Sequence, residues 1–450
     1  MNWNAFFFVI SKALFLALSI LLYRGLTIHD FSVWANINSV IFLFLLLIDC
    51  GFRKSIPRYA PEFAKNENSM RQFIRSVIIF QSSILLTIAP LFFFLVPRLA
   101  NSFGIGKQVD ILYLGCVLFV VEGVVSVIRL IFHSYFWQKQ FNLAMTAVLT
   151  IFVFLAFALI FFVNSSHSLI RALFCIKIGA GVVTIAIGLI MLIWLYKDKS
   201  YHKKEQPVEM KKISIRFVKH SGVMWANSTI KSLTERNFLV PFFTYTLGPQ
   251  VGNLFKISND TALFFQRIVL KTIGTTDTSL LAHIESKPNT RVLMPQVFER
   301  LIKKVSSLCI PLVAIILVFT RKVFGILDSG HILKPFFVLS ICYLTHTILS
   351  PYERFLEVKR CYFKLLIAYT PYLIMIPLFL FPHIISSVGL FGSIILVHTV
   401  RLVSAFGLLF IGRKQFRLRF PVRYTTLLLS VSLASCAAIY ALLCLIPPFC

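Results

Sequence analysis

The chain has 450 residues, of which 58% are hydrophobic and only 14% charged. A soluble domain carries about 25% charged residues, so this composition cannot cover a water-facing surface, and a water-soluble enzyme or binding module is excluded. Lys and Arg total 45 against 17 Asp and Glu, a balance of +28. With so few polar residues, that excess argues for basic loops on the inner side of a membrane and contact with anionic lipid, not for a nucleic-acid partner.

A hydrocarbon core about 30 Å thick takes roughly 20 apolar residues per helix. Apolar runs at 4–23, 31–50, 72–97, 109–131, 142–163, 170–195, 217–244, 251–275, 304–325, 331–350, 361–381, 385–411 and 424–447 therefore predict thirteen transmembrane helices. The first run lacks a small-residue cleavage motif and reads as a helix, not a signal peptide. The seventh and eighth are more polar than the others. With the N-terminus inside, the inner connections 51–71, 196–216, 276–303, 351–360 and 412–423 hold most of the loop cations. The outer ones hold only Arg24, Arg98, Lys107, Arg171, Arg321, Lys322 and Lys334. The asymmetry keeps its sign along the chain, which fits a cytoplasmic N-terminus.

The longest polar stretch, YKDKSYHKKEQPVEMKKISIR (196–216), reads as a basic linker interrupted by Pro207. The expected organisation is an N-terminal six-helix lobe (1–196), the linker (197–216), a C-terminal six-helix lobe (217–411), and a basic loop with an extra C-terminal helix (412–450). The halves share a pattern: LTIHDFSVWANINSVIF (26–42) and LGPQVGNLFKISNDTAL (247–263) each run from a leucine-containing polar turn into a half-polar helix. Two such repeats are a common transporter plan. The nine cysteines form no close cluster and read as small hydrophobes; no metal site is expected.

An ionisable residue inside a span costs on the order of 2.5–3.5 kcal/mol, which marks it as a functional candidate. The first half has Lys12, Glu122 and Lys177. The second has Lys231, Glu235 and Arg236 in the seventh span, Lys256, Asp260 and Arg267 in the eighth, and Arg401 in the twelfth. Lys12 either faces a cavity or snorkels towards the inner surface. Lys256 and Asp260 stand at i,i+4 on one face, as a structural ion pair or as part of a binding site, with Arg267 near the same stripe. Lys231 and Glu235 have the same spacing. Glu122 is a coupling-ion ligand or an interhelical hydrogen-bond partner. His346 and His398 read as packed helical histidines. In the second half Lys231, Arg236, Lys256 and Arg267 outnumber Glu235 and Asp260, so a cavity lined by them favours an anion such as a phosphate or pyrophosphate. No Walker loop, HExxH motif or paired catalytic carboxylates are visible, so no enzymatic activity and no cofactor are expected.

Three stretches carry a family resemblance: FSVWANINSVIFLFLLLIDCGFRKSIPRYAPEF (31–63), TLGPQVGNLFKISND (246–260) and IPLVAIILVFTRKVFGIL (310–327). Together with helix order they resemble the multidrug/oligosaccharidyl-lipid/polysaccharide (MOP) flippase superfamily, most of all its bacterial polysaccharide-biosynthesis, O-antigen-unit branch. The resemblance implies two six-helix lobes forming a V around a central cavity in the bacterial inner membrane. It further implies alternating-access translocation of a polyprenyl-diphosphate-linked saccharide. By position, the diphosphate contacts become Lys12, Arg53, and Lys256 or Arg267. The chain departs from the lipid II flippase pattern, having one mid-span cation in its first helix and one extra C-terminal helix where that subgroup has two. The expected partners are a lipid-linked oligosaccharide, anionic lipids and other glycan-assembly membrane proteins, with the chain acting as a monomer. H+ or Na+ coupling is left open, with Asp260, Glu122 and Glu235 as the groups for it. The alternative is a drug or small-molecule antiporter on the same fold.

Overall fold

In a computed structural model the described residues are 3–63, 67–102, 109–135, 137–163, 166–197, 210–285, 290–326, 330–359 and 361–444, and the regular structure among them is all helical. Residues 198–209 of the basic linker and the C-terminal 445–450 lie outside them. The chain divides into two compact units, Met1–Asn253 and Leu254–Cys450.

The first unit contains α1 (Trp3–Gly25), α2 (Ile28–Asp49), α3 (Phe52–Phe63), α4 (Glu67–Ser102), α5 (Val109–Ser134), α6 (Gln138–Phe162), α7 (Ser166–Lys197), α8 (Met210–Ser232) and α9 (Arg236–Leu247). Within it α1 packs on α6, α5 on α4 and α7, α6 on α7, and α2 on α5 and α9. Thr27 caps α2: its Oγ1 accepts from the Asp30 backbone N–H at 3.2 Å and donates to Asp30 Oδ2 at 2.7 Å. From Asp30 to Ile37 every residue of α2 is buried, as expected of a helix surrounded by others. Large apolar side chains elsewhere point outward, among them Leu86, Phe94, Phe154, Phe161 and Phe162. That suits a lipid solvent and would be a liability in water.

The stretch 51–63, expected as loop, folds as α3. Its Phe52, Ile56, Tyr59, Ala60 and Phe63 recur every three or four residues and are buried, while Arg53 and Lys54 are exposed. The chain turns from α2 into α3 through Cys50 (φ 46) and Gly51 (φ 75). This corner presses on α8 so closely that a Cβ on Gly51 would stand 2.3 Å from the Ser221 carbonyl oxygen. Ser55 Oγ and His220 Nδ1 share a buried hydrogen bond of 3.0 Å beside it. Phe52 and Phe73 both meet Phe217, and Phe63 stacks on Phe73 at 4.2 Å.

α10 (Pro249–Glu285) follows a turn at Gly248 and crosses the boundary between the units. The second unit continues with α11 (Thr290–Ile326), α12 (Gly330–Val358), α13 (Tyr362–Tyr369), α14 (Met375–Leu380), α15 (Pro382–Phe416) and α16 (Val422–Cys444). α12 packs on α11 and α15, and α16 packs on α11. Its aromatic centre is Phe298 against Tyr352 and Phe355, with Phe416 on Phe355.

Helix occupies all thirteen expected runs, and eight segments among the described residues are long and apolar enough to cross a membrane: α2, α4, α5, α6, α7, α12, Tyr362–Leu380 and α15. Two runs expected as single helices are interrupted. At 217–244 the chain breaks between α8 and α9. At 361–381 a 3₁₀ turn (Thr370–Ile374) separates α13 from α14, because Pro371 has no N–H to continue the α pattern. Pro421 immediately precedes α16, and its carbonyl accepts from the Thr425 N–H. Pro311 lies inside α11.

Candidate functional site

In the second unit α10 concentrates buried polarity. Lys256, Ser258, Asn259, Asp260, Thr261 and Gln266 are all buried. The i,i+4 spacing places Lys256 Nζ 3.0 Å from Asp260 Oδ2, with the two side chains 7% and 6% exposed. Two charges this far from water are tolerated when they meet in good geometry, and removing either takes a close counter-charge from the other. Arg267 is half-buried, about two turns further along α10.

α12 and α15 complete the cluster. Tyr343 Oη donates to Asn259 Oδ1 at 2.5 Å, and Gln266 Nε2 donates to the Tyr343 carbonyl at 3.4 Å. The buried Arg401 guanidinium carbon lies 4.9 Å from the centre of the Tyr343 ring, within cation–π range. His398, one turn earlier on α15, meets the same ring edge-on at 5.0 Å. His398 is packed, as expected, yet it is packed into a polar cluster. Sequence reasoning marked Arg401 as an intramembrane charge without placing it in the site, and it missed Tyr343. The i,i+3 pair His398 and Arg401 on one helix face was the available signal.

In the first unit the candidates are spread out. Lys12 is half-buried, with Nζ 5.1 Å from the Phe15 ring centre on its own helix. Next to it, Ser11 Oγ and Thr146 Oγ1 lie 2.9 Å apart, joining α1 to α6. Arg53 is exposed at the start of α3, its Nε 4.0 Å from Asp49 Oδ1. Glu122 is half-buried on α5, and it and Arg53 are within electrostatic reach of Arg129. Arg129 is not legible as a candidate in the sequence because it sits near the end of its apolar run. Its terminal nitrogen donates to Met145 Sδ at 3.2 Å, while its Nε is shut off from solvent with no hydrogen-bond acceptor. Lys177, noted in the sequence but not placed in the site, donates to Asn38 Oδ1 and lies 5.3 Å from the Trp34 ring centre.

Lys231, Glu235 and Arg236 surround the break between α8 and α9. Lys231 is in the last turn of α8, Glu235 is the extended residue before α9, and Arg236 opens α9 with its guanidinium on Asn237 Oδ1 at 3.2 Å. The break has a local cause. Ser232 Oγ donates to the Thr229 carbonyl at 2.6 Å and Thr234 Oγ1 to the Lys231 carbonyl at 3.0 Å, competing with the helical ladder. On α9, Thr244 Oγ1 shares its one proton between the Val240 carbonyl at 2.9 Å and Asn36 Oδ1 of α2 at 3.2 Å, and at the start of α10 Asn253 Nδ2 donates to the Ile28 carbonyl at 2.7 Å.

These positions redistribute the charge expected for a cavity. Lys231 and Arg236 stand at a helix break and not within a continuous span, and Lys256 is in direct contact with Asp260. Other cations within the apolar stretches of the helices include Lys12, Arg129, Lys177, Arg267 and Arg401. A buried carboxylate–ammonium pair of this kind can change state when a proton or metal cation takes the carboxylate, which is the elementary act an ion-coupled carrier needs. Among the described residues no group of three or more His, Cys, Asp or Glu is placed to hold a metal ion.

No protein-family model matches the sequence, and no curated protein sequence matches it. Solved structures do match its fold. An inward-facing conformation of a multidrug resistance MATE family transporter of the MOP superfamily aligns with a TM-score of 0.66 and 16% identity, over 90% of this chain and 94% of that one. A MATE in the bent conformation aligns with a TM-score of 0.62 and 14% identity, covering 94% of each chain. An outward-facing conformation of a multidrug resistance MATE family transporter aligns with a TM-score of 0.60 and 14% identity, covering 92% and 94%. The chain thus shares the fold of these solved structures over nearly its whole length.

Proposed function

We propose that the chain is an alternating-access transporter of the bacterial inner membrane that exports a small molecule in exchange for H+ or Na+, acting as a monomer and without enzymatic activity. The observation that carries this reading is the fold likeness, which spans nine-tenths or more of the chain and includes multidrug carriers. Fold alone does not select a solute. The buried Lys256–Asp260 pair supports ion coupling, because a cation arriving at Asp260 would release Lys256 and alter the packing of α10. On this reading the thirteen helical runs all cross the membrane, the N-terminus is cytoplasmic, and 1–196 and 217–411 act as the two lobes that rock against each other.

A second reading keeps one observation in its favour. Lys12, Arg129, Lys177 and Arg401 add cations to the helices beyond the Lys256–Asp260 pair, and a surplus of this sign suits an anionic headgroup. On that reading the solute is a polyprenyl-diphosphate-linked saccharide, with Lys12, Arg53, Lys256 and Arg267 as headgroup contacts and Glu122 and Glu235 as further candidates for coupling.

Proteoliposomes separate the two. Under an imposed proton or sodium gradient, flux of a lipophilic cationic dye that is abolished in Asp260→Asn supports antiport. Movement of a fluorescent diphosphate-linked saccharide between leaflets, with no dye flux, assigns the second reading. Failure of both assays in protein that binds neither solute sinks the transporter reading.

A further inference from the structure

The cluster between α10, α12 and α15 contains a hydrogen-bond donor that the protein does not use. Asn259 is fully buried, and its Oδ1 accepts from Tyr343 Oη at 2.5 Å. That bond fixes the amide plane and turns Nδ2 away from the phenol. Nδ2 is itself shut off from solvent and has no acceptor. Leaving such a donor unmet is costly, so an unmet donor inside a polar cluster asks for a ligand.

The surrounding charge indicates the ligand's sign. Asn259 is flanked on its own helix by Lys256 and Asp260, and across Tyr343 by the buried Arg401. The cluster holds the Lys256–Asp260 pair and the Arg401 guanidinium, and its unmet group is a donor. Ser404, one turn beyond Arg401 on α15, also has a buried hydroxyl without a partner. Donors and cations held within one buried cluster favour an anion, which they bind by charge-assisted hydrogen bonds. Every member of the cluster is at most 9% exposed, which keeps a lipid headgroup out.

The geometry points to a binding site for a small monovalent anion of chloride size inside the second unit, held by Asn259 Nδ2 and the Arg401 guanidinium and oriented by Tyr343. This site does not depend on which solute is transported.

The test is thermal unfolding of the purified full chain in detergent at constant ionic strength. Replacing sodium gluconate by sodium chloride is expected to raise the wild-type Tm by about 2 °C or more, saturably, because a ligand that binds only the folded state stabilises it. Asn259→Asp keeps the acceptor for Tyr343 and puts a fixed negative charge in the ion's place. This variant is expected to lose the chloride dependence. Two controls exclude other ligands: choline in place of sodium at fixed chloride, and phosphate in place of chloride. A Tm indifferent to chloride in the wild type would overturn the site, leaving a buried water as the partner of Nδ2. A rise that follows sodium, or phosphate without chloride, would overturn it equally. The wild-type measurement decides the matter even if Asn259→Asp does not fold.

Discussion

Lys256 and Asp260 each lower the cost of burying the other. In a helix shielded from water, an ammonium or carboxylate left alone has neither solvent nor counter-charge. Lys256→Met alone should therefore destabilise the chain by about 3–5 kcal/mol, while Lys256→Met with Asp260→Leu should recover most of that loss. A double-mutant cycle by thermal unfolding checks this, and additive single effects would show that the 3.0 Å contact carries no coupling. Gly51 presents a constraint of a different kind. Its φ of 75° and the 2.3 Å approach of a would-be Cβ to the Ser221 carbonyl leave no room for a side chain. Gly51→Ala should lower the Tm sharply or abolish folding. Gly222→Ala, on an open face of α8 with nothing within 4 Å, should be neutral or stabilising by up to about 1 kcal/mol. Similar Tm values for the two variants would contradict the tight packing of the α2–α3 corner.

At the scale of the element, the break between α8 and α9 and the docking of α3 are the features with most consequence. The break is written locally: Ser232 and Thr234 turn their hydroxyls back onto the backbone. Both residues stood in a run that reads as one polar span, and polarity alone does not distinguish a lining helix from a broken one. Beyond the break, α9 is tied to α2 by Thr244 and Asn36. Thr244→Val keeps the shape and removes the donor, so it should cost roughly 1 kcal/mol and raise hydrogen exchange in α9 more than in α5. Equal exchange in both helices would mean that the bond holds nothing in place. α3 was legible in principle, since its apolar residues recur at helical spacing. Its dense cations at 53, 54 and 58 satisfied the loop-charge pattern and concealed that spacing.

For the whole molecule, the charge pattern makes a prediction independent of any solute. Fluorescent-protein fusions within 198–209 should be bright and alkaline phosphatase fusions there inactive, because the basic linker is expected in the cytoplasm. Fusions at the C-terminus should show the reverse on the proposed count of thirteen crossings, which puts the two ends on opposite sides. Matching behaviour at both positions would require an even number of crossings, and α8–α9 would be the first span to reconsider.

Composition and periodicity determined the membrane class, the positions of the helical runs and the Lys256–Asp260 contact, because each depends on residues near one another in the chain. The breaks at 233–235 and 370–374 also had local causes, in hydroxyl and proline chemistry, that a hydropathy scan averages away. The docking of α3 on α8 and the meeting of Asn259, Tyr343, His398 and Arg401 were decided only in three dimensions. In a lipid solvent the helix face that meets lipid and the face that meets protein are both apolar. The pattern that marks a core in water therefore loses its meaning. Only the packed structure shows which polar residues, more than a hundred positions apart, come to share one buried site.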